Sequence, residues 1–400
     1  MAHAAFLVSG TRTPVGRYGG ALSSVRPDDL AALVIRTVVE DAGIPSAEVD
    51  EVIVGNANGA GEENRNVARM AWLLAGFEDT VPGITVNRLC ASGMSAIAQA
   101  QHMIAAGAAD IVVAGGVESM SRAPWVLAKP EKPFSRPGEV VDTSIGWRFV
   151  NPRHLEHHGR TYSMPETAEE VARVDNISRE DADAFALQSQ QRTAAAADAG
   201  RLSREITPVE ITGRKGDVTL VDADEGPRPE TTAEALAGLR PVVKGGLVVT
   251  PGNSSALNDG ASAVIVASER AVEKYGLAPR ARVAGSANAG VPPQVMGIGP
   301  VPATEKALER TGWSLDDLGA VELNEAFATQ SLATIRRLGL DQQIVNCDGG
   351  AIALGHPLGS SGTRIVLTLA RRMEDDGVDR GLATMCVGVG QGSALLLEKA

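Results

Sequence analysis

The chain has 400 residues, 44% of them hydrophobic, 22% charged and 3% aromatic, with 44 glycines and a formal net charge of −12. That length exceeds one ordinary core and predicts two or three packed units. The acidic balance argues against nucleic acid as a partner and weakly against an anionic membrane surface, and no apolar run is long enough to span a bilayer.

In chain order, Asp28 and Asp29 lead a helix over 28–43, with Leu30, Leu33, Val34, Val38 and Val39 on one stripe and Gly43 as its stop. Val52–Val54 and Ile84–Val86 read as short strands, and the second runs at once into Asn87-Arg88-Leu89-Cys90. A helix follows from about Ala91 to Ala106, then an apolar strand Ile111–Ala114 that Gly115-Gly116 is expected to stop. From Ser119 to Asn253 the rhythm breaks into Pro-, Asp-, Glu- and Arg-rich sequence with one strong helix near Ser178, which reads as an inserted loop domain. Strand and helix patterns resume at Asp259: strands at Val264–Val266, Val321–Leu323, Ile344–Asn346, Thr384–Cys386 and Ala394–Leu397, and a helix at Ala303–Thr311. This alternation predicts α/β layers. The segment before Cys90 and the segment Gln343–Asn346 before His356 echo each other, which predicts a duplicated fold.

There are three cysteines, Cys90, Cys347 and Cys386, too few and too scattered for a disulfide framework. Cys90 stands at a strand-to-helix junction, where exposed N–H groups favour a thiolate; its plain alternative is a core cysteine. His356 lies in Gly355-His356-Pro357-Leu358-Gly359-Ser360-Ser361-Gly362, a rigid frame suited to a general base. Cys386 precedes Val387-Gly388-Val389-Gly390-Gln391-Gly392, whose backbone N–H groups can approach an oxyanion; this run lacks the context of a dinucleotide fingerprint. Asn324 can hold a water and Glu325 can orient His356 or a substrate, against the alternative that both cap a helix. His154, His157 and His158 have no accompanying ligand set, so no metal is expected.

Five segments in order resemble the motifs of the thiolase family: Asn87–Met94, Gly115–Ser121, Asn324–Ala328, Gly349–Pro357 and Cys386–Gly392, in a similarity that begins at Arg12-Thr13-Pro14-Val15-Gly16. The resemblance implies a five-layer α-β-α-β-α fold with an inserted loop domain. The expected boundaries are 1–118 and 254–275 for the N-terminal half, 119–253 for the insert and 276–400 for the C-terminal half. It implies an acyltransferase that cleaves a 3-ketoacyl-CoA with coenzyme A, or runs the reverse condensation. Cys90 would take the acyl group, His356 would activate it, and Cys386 would move the α-carbon proton. His356 with a water on Asn324 would form one oxyanion hole, and the N–H groups of Cys90 and Gly388 the other. Coenzyme A would enter as a substrate, with no permanently bound cofactor, contacted by Ser255, Met164, Arg228, Leu257, Ala326 and Phe327.

Within the family, Asp142–Phe149 and Ser163–Ala172 resemble the 3-oxoadipyl-CoA thiolases of aromatic degradation. Arg148, Arg153 or a neighbouring histidine would then meet the free carboxylate of the substrate. Acetoacetyl-CoA thiolase, a fatty-acid β-oxidation thiolase and a non-catalytic CoA- or lipid-binding relative are the alternatives. The resemblance implies a homodimer or homotetramer. The first residues lack a secretory pattern and Glu398-Lys399-Ala400 is not a peroxisomal address, so a cytoplasmic place is expected. Asp348 and Cys347 depart from the family pattern, and a carboxylate at 348 is expected to raise the His356 pKa.

Overall fold

In the computed structural model, which describes residues 3–130 and 132–400, the apolar runs pair into a ten-stranded sheet. Its main path runs Ala320–Leu323, Arg380–Val387, Gln391–Lys399, Ala281–Gly290, Ala5–Arg12, Asn258–Ser268, Ile111–Ser119, Glu51–Gly55 and Gly83–Val86, with Gly16–Arg17 pairing onto Asn258–Ser268. Ala5–Arg12 meets Ala281–Gly290 at only two positions, Phe6 with Arg282 and Leu7 with Ala281, so the sheet is two half-sheets joined by a short seam.

The two halves repeat one pattern. Ile111–Ser119 pairs antiparallel with Asn258–Ser268, as Arg380–Val387 does with Gln391–Lys399. Glu51–Gly55 runs parallel to Gly83–Val86, as Val321 does to Val345. The duplication expected from the sequence echo is present.

Side chains alternate across each strand, so both faces of a half-sheet must find cover. Val112 and Ala114 face the same core as Met385, Val387, Leu395 and Leu397, and between them lie helices Ser92–Ala105 and Leu358–Asp376. Ile111, Val113 and Ile265 face the opposite way, under helices Pro27–Ala42 and Val67–Leu74. Leu382, Ala394 and Leu396 turn toward helices Pro300–Thr311 and Ala328–Leu338. The result is the five-layer order helix, sheet, helix, sheet, helix. Among the described residues no helix is long and apolar enough to cross a membrane.

Two elements differ from expectation. The strand at 111 does not stop at Gly115-Gly116 but runs to Ser119. These glycines mark close backbone approach rather than a turn: a β-carbon on Gly116 would fall on the Gly359 carbonyl oxygen. Ile344–Asn346 is not a strand but a 3-10 turn, Gln342–Ile344, followed by one bridge from Val345 to Val321. The Arg192 guanidinium donates to the carbonyls of Gln342, Val345 and Asn346, taking acceptors that a strand partner would use.

The insert leaves the sheet after Ser119 and returns at Asn258, beside the point of departure, since Ser119 pairs with Asp259. The Ser178 hydroxyl caps helix Arg179–Asp198 by accepting the Asp181 N–H, and Val171, Ala172, Phe185 and Ala186 join the outer core of the second half. Buried Arg12 fastens the insert to the first half. Its Nε donates to Glu205 at 3.0 Å and its Nη atoms to both oxygens of Asp224 at 2.6 and 2.9 Å. Such a bidentate, fully buried pair supplies direction as well as attraction.

Candidate active site

Cys90 closes a tight turn that carries strand Gly83–Val86 into helix Ser92–Ala105. Leu89 takes a left-handed φ of 45°, a conformation that needs outside support. The support is local: the Asn87 side chain accepts the Leu89 N–H at 2.8 Å, and the Ser92 hydroxyl accepts the Arg88 N–H at 2.9 Å while donating to the Leu89 carbonyl at 2.7 Å. Asn87 is itself held, donating to the Ala57 carbonyl at 3.0 Å.

Cys90 is partly exposed, and desolvation pushes its thiol up to about 11, with the N–H groups of Gly388 and of Cys90 itself acting in the opposite direction. Those two donors are the pair expected to form an oxyanion hole. Gly388 opens the turn between Arg380–Val387 and Gln391–Lys399. A β-carbon there would lie 3.1 Å from Leu89 Cδ1, which would have to give way, and in ordinary contact with Met164 Sδ at 4.0 Å. Cys386, two residues earlier, is buried; desolvation raises its pKa first and the neighbouring Cys90 raises it further, so the two thiols share one site.

His356 is buried between Asn258, Asn324 and Ser361. Its backbone N–H donates to Asn258 Oδ1 at 2.9 Å, its Nε2 lies 3.4 Å from the Asn324 amide nitrogen, and its Nδ1 lies 2.7 Å from Ser361 Oγ. Ser361 donates its one proton to the Pro357 carbonyl at 2.9 Å, so its oxygen is left to accept from Nδ1–H. This arrangement leaves Nε2 without a proton, the state a base needs. Burial, and then the positive charge of Arg364, pull the imidazole down to about 3, so it is neutral at pH 7. Asn324 Oδ1 is buried without a partner, a polar atom free for a substrate or a water.

Glycines let the two halves of the site meet. The helix that begins after Cys90 and the helix that begins after His356 cross near their N-termini, where a β-carbon on Gly93 would sit 2.5 Å from Thr363 Oγ1 and 2.7 Å from the Gly359 carbonyl oxygen. Gly55, Gly116, Gly359 and Gly362 are equally tight against backbone. Glu118 ties this junction together: its carboxylate accepts the N–H groups of Ala57 (2.9 Å), Asn58 (3.1 Å) and Gly359 (2.9 Å), and burial still lifts it to about 7.

The predicted contact residues gather beside these groups. Phe327, Ala326, Met296, Cys386 and Met164 form one apolar cluster. Ser255 donates its N–H and its hydroxyl to the Ala326 carbonyl, both at 3.0 Å, and Leu257 bridges to His356. Arg228 stands apart: its side chain is exposed, and its N–H donates to Gln190 Oε1 at 2.8 Å.

Several expectations are corrected. Glu325 does not orient His356. It accepts from Ser189 Oγ, Asn346 Nδ2 and the Ile352 N–H, and so anchors the loop that precedes the histidine. Neither Asn324 nor Glu325 caps a helix, since helix Ala328–Leu338 starts after Phe327. Asp348 does not raise the His356 pKa; it turns to Arg201 at 3.5 Å, and the histidine is lowered instead. Cys347 donates to the Gln343 carbonyl at 2.8 Å. Sequence reasoning assigned no role to Glu118 or Ser361. Their signals were a lone acid after two strand glycines and a serine one helical turn past Pro357.

Comparison with known proteins matches residues 5–270 to the model "Thiolase, N-terminal domain" and residues 277–399 to "Thiolase, C-terminal domain". The chain is 56% identical to the beta-ketoadipyl-CoA thiolase of Pseudomonas aeruginosa over 402 residues, covering 100% of both chains. It is 54% identical to the 3-oxoadipyl-CoA/3-oxo-5,6-dehydrosuberyl-CoA thiolase of Escherichia coli, covering 99% of each. The crystal structure of human mitochondrial 3-ketoacyl-CoA thiolase in complex with CoA superposes with a TM-score of 0.91 at 40% identity, covering 100% of this chain and 98% of that one.

Proposed function

The chain belongs to the thiolase family and is an acyltransferase, and from that premise we propose that it cleaves 3-oxoadipyl-CoA with coenzyme A through an acyl-Cys90 intermediate. The observation that supports the catalytic reading is that the turn carrying Leu89 and Cys90 packs against the turn carrying Cys386 and Gly388, with Leu89 Cδ1 3.1 Å from where a Gly388 β-carbon would stand. The substrate reading rests on the full-length identity to the beta-ketoadipyl-CoA and 3-oxoadipyl-CoA thiolases.

In this account His356 Nε2 takes the Cys90 proton as the sulfur attacks the 3-keto carbon. With the thiol raised to about 11 and the imidazole lowered to about 3, the free enzyme holds a neutral pair, and proton transfer accompanies attack. A water held by Asn324 and the now protonated His356 steady the developing enolate oxygen as the C2–C3 bond breaks. The electron pair leaves as the enolate of acetyl-CoA and takes a proton from Cys386. A four-carbon acyl group remains on Cys90, held under the N–H groups of Cys90 and Gly388. Cys386, left as a thiolate, takes the proton of the coenzyme A thiol as that sulfur attacks the thioester; succinyl-CoA leaves and Cys90 recovers its proton from His356.

Ser255, Leu257, Ala326, Phe327 and Met164 would line the pantetheine path, with Arg228 at its outer end. The reading also includes a homodimer or homotetramer in the cytoplasm, a chain divided at 118/119, 253/254 and 275/276, and no permanently bound cofactor. The test compares cleavage of 3-oxoadipyl-CoA and acetoacetyl-CoA, with Cys90→Ala as control. Faster cleavage of 3-oxoadipyl-CoA, lost in the control, supports the proposal; preference for acetoacetyl-CoA keeps the chemistry and discards the substrate.

A further inference from the structure

Beside the site lies a small recess, with about 20 Å³ of water-accessible space, that the mechanism above does not use. Its inner wall is Met164 and Val389. Val389 follows Gly388 in the turn, and a β-carbon on Gly388 would stand 4.0 Å from Met164 Sδ and 3.1 Å from Cδ1 of Leu89, the residue before Cys90. The recess therefore borders the Gly388 turn, against which Leu89 of the Cys90 turn packs.

Its outer wall is basic and aromatic. The His154 ring is sandwiched between Trp147, at 5.0 Å between centroids, and His158, at 4.7 Å. Trp147 is fixed by donating its indole N–H to the Tyr162 carbonyl at 2.9 Å. Arg160 lies over the Tyr162 ring at 4.1 Å, and its one carboxylate contact among the described residues is a loose 3.4 Å approach to Glu166 Oε1. The other oxygen of Glu166 is engaged by the Ser163 N–H and hydroxyl, so Glu166 serves the helix start and leaves Arg160 donors free. A guanidinium packed on an aromatic ring is an oriented carboxylate receptor.

Resting on the 3-oxoadipyl-CoA reading, we propose that Arg160 and His158, with His154 behind them, form a subsite for the distal carboxylate of the acyl chain. The two arginines favoured from sequence are less suited. Arg148 donates to the Thr143 carbonyl and to Asn58 Oδ1, both at 3.1 Å, and so pins the insert to the first half. Neither Arg148 nor Arg153 lines the recess. The terminal carboxylate stands two methylenes beyond the attacked carbon, so the acyl tail would pass Met164 and end among the basic groups.

The test uses 3-oxohexanoyl-CoA, which keeps the six-carbon chain and replaces only the carboxylate by a methyl. For Arg160→Ala and His158→Ala, the ratio of kcat/KM for 3-oxoadipyl-CoA over 3-oxohexanoyl-CoA is expected to fall by about tenfold or more, as when a charged substrate group loses its partner. Arg160→Lys should recover part of the ratio, which a purely structural role would not produce. Unchanged ratios, or equal losses on both substrates, would overturn this inference while leaving the parent reading standing if wild-type enzyme still prefers 3-oxoadipyl-CoA. A wild-type enzyme with no such preference would overturn both.

Discussion

Replacing Ser361 by Ala tests the histidine geometry without touching a reacting atom. Ser361 Oγ makes two bonds, donating to the Pro357 carbonyl at 2.9 Å and accepting from His356 Nδ1 at 2.7 Å. Alanine leaves Nδ1–H buried with no acceptor, and the imidazole gains by moving its proton to Nε2, the face that must accept from Cys90. When His356 becomes an imidazolium, the lost bond is one to a charged group, worth about 1.5–3 kcal/mol. That converts to roughly a 10- to 150-fold slower acylation of Cys90. Stopped-flow release of acetyl-CoA in the first turnover measures this step directly. Acylation at the wild-type rate in a folded Ser361→Ala enzyme would refute the idea that Ser361 sets the tautomer.

Other predictions follow from the same geometry. Glu118→Gln puts an amide N–H₂ where a carboxylate oxygen now accepts backbone N–H groups, so thermal unfolding should show a loss of about 2–4 kcal/mol; an unchanged melting temperature would contradict that role. Gly116→Ala drives a methyl into the Gly359 carbonyl at the entry to the His356 helix, and should cost about 3 kcal/mol and most of the turnover. Since Cys90 is raised to about 11, the thiol is protonated at pH 7; its iodoacetamide alkylation in free enzyme should climb about tenfold per pH unit between 7 and 10. A plateau near pH 7 would mean that a thiolate–imidazolium pair already exists.

The sequence carried the elements whose physics is local. Helix Pro27–Ala42 showed its acidic first turn, its apolar stripe and its left-handed Gly43, and the structure has all three. Strands covered on both faces showed as continuous apolar runs such as Ile111–Ala114. What stayed hidden depends on distant partners. Gly115-Gly116 reads as a stop in isolation, and only the arrival of Gly359 from the other end of the chain explains why the strand continues. The apolar Ile344-Val345 looked like a strand until Arg192 of the insert took its carbonyls. At the site, Cys90, His356 and Cys386 stood out by residue type and by their glycine frames. Glu118, Ser361 and the true partners of Glu325 and Asp348 did not, because a buried carboxylate reveals its role only through the donors folded around it.

The central claim is that Cys90 carries the acyl group. Mixing the enzyme with 3-oxoadipyl-CoA in the absence of free coenzyme A, quenching in acid and mapping peptides by mass spectrometry tests it most directly. The account predicts a succinyl thioester on the Cys90 peptide, with about one equivalent of acetyl-CoA released per site. Acetyl-CoA released without an adduct on Cys90, or an adduct on Cys386 or Cys347 instead, would contradict it.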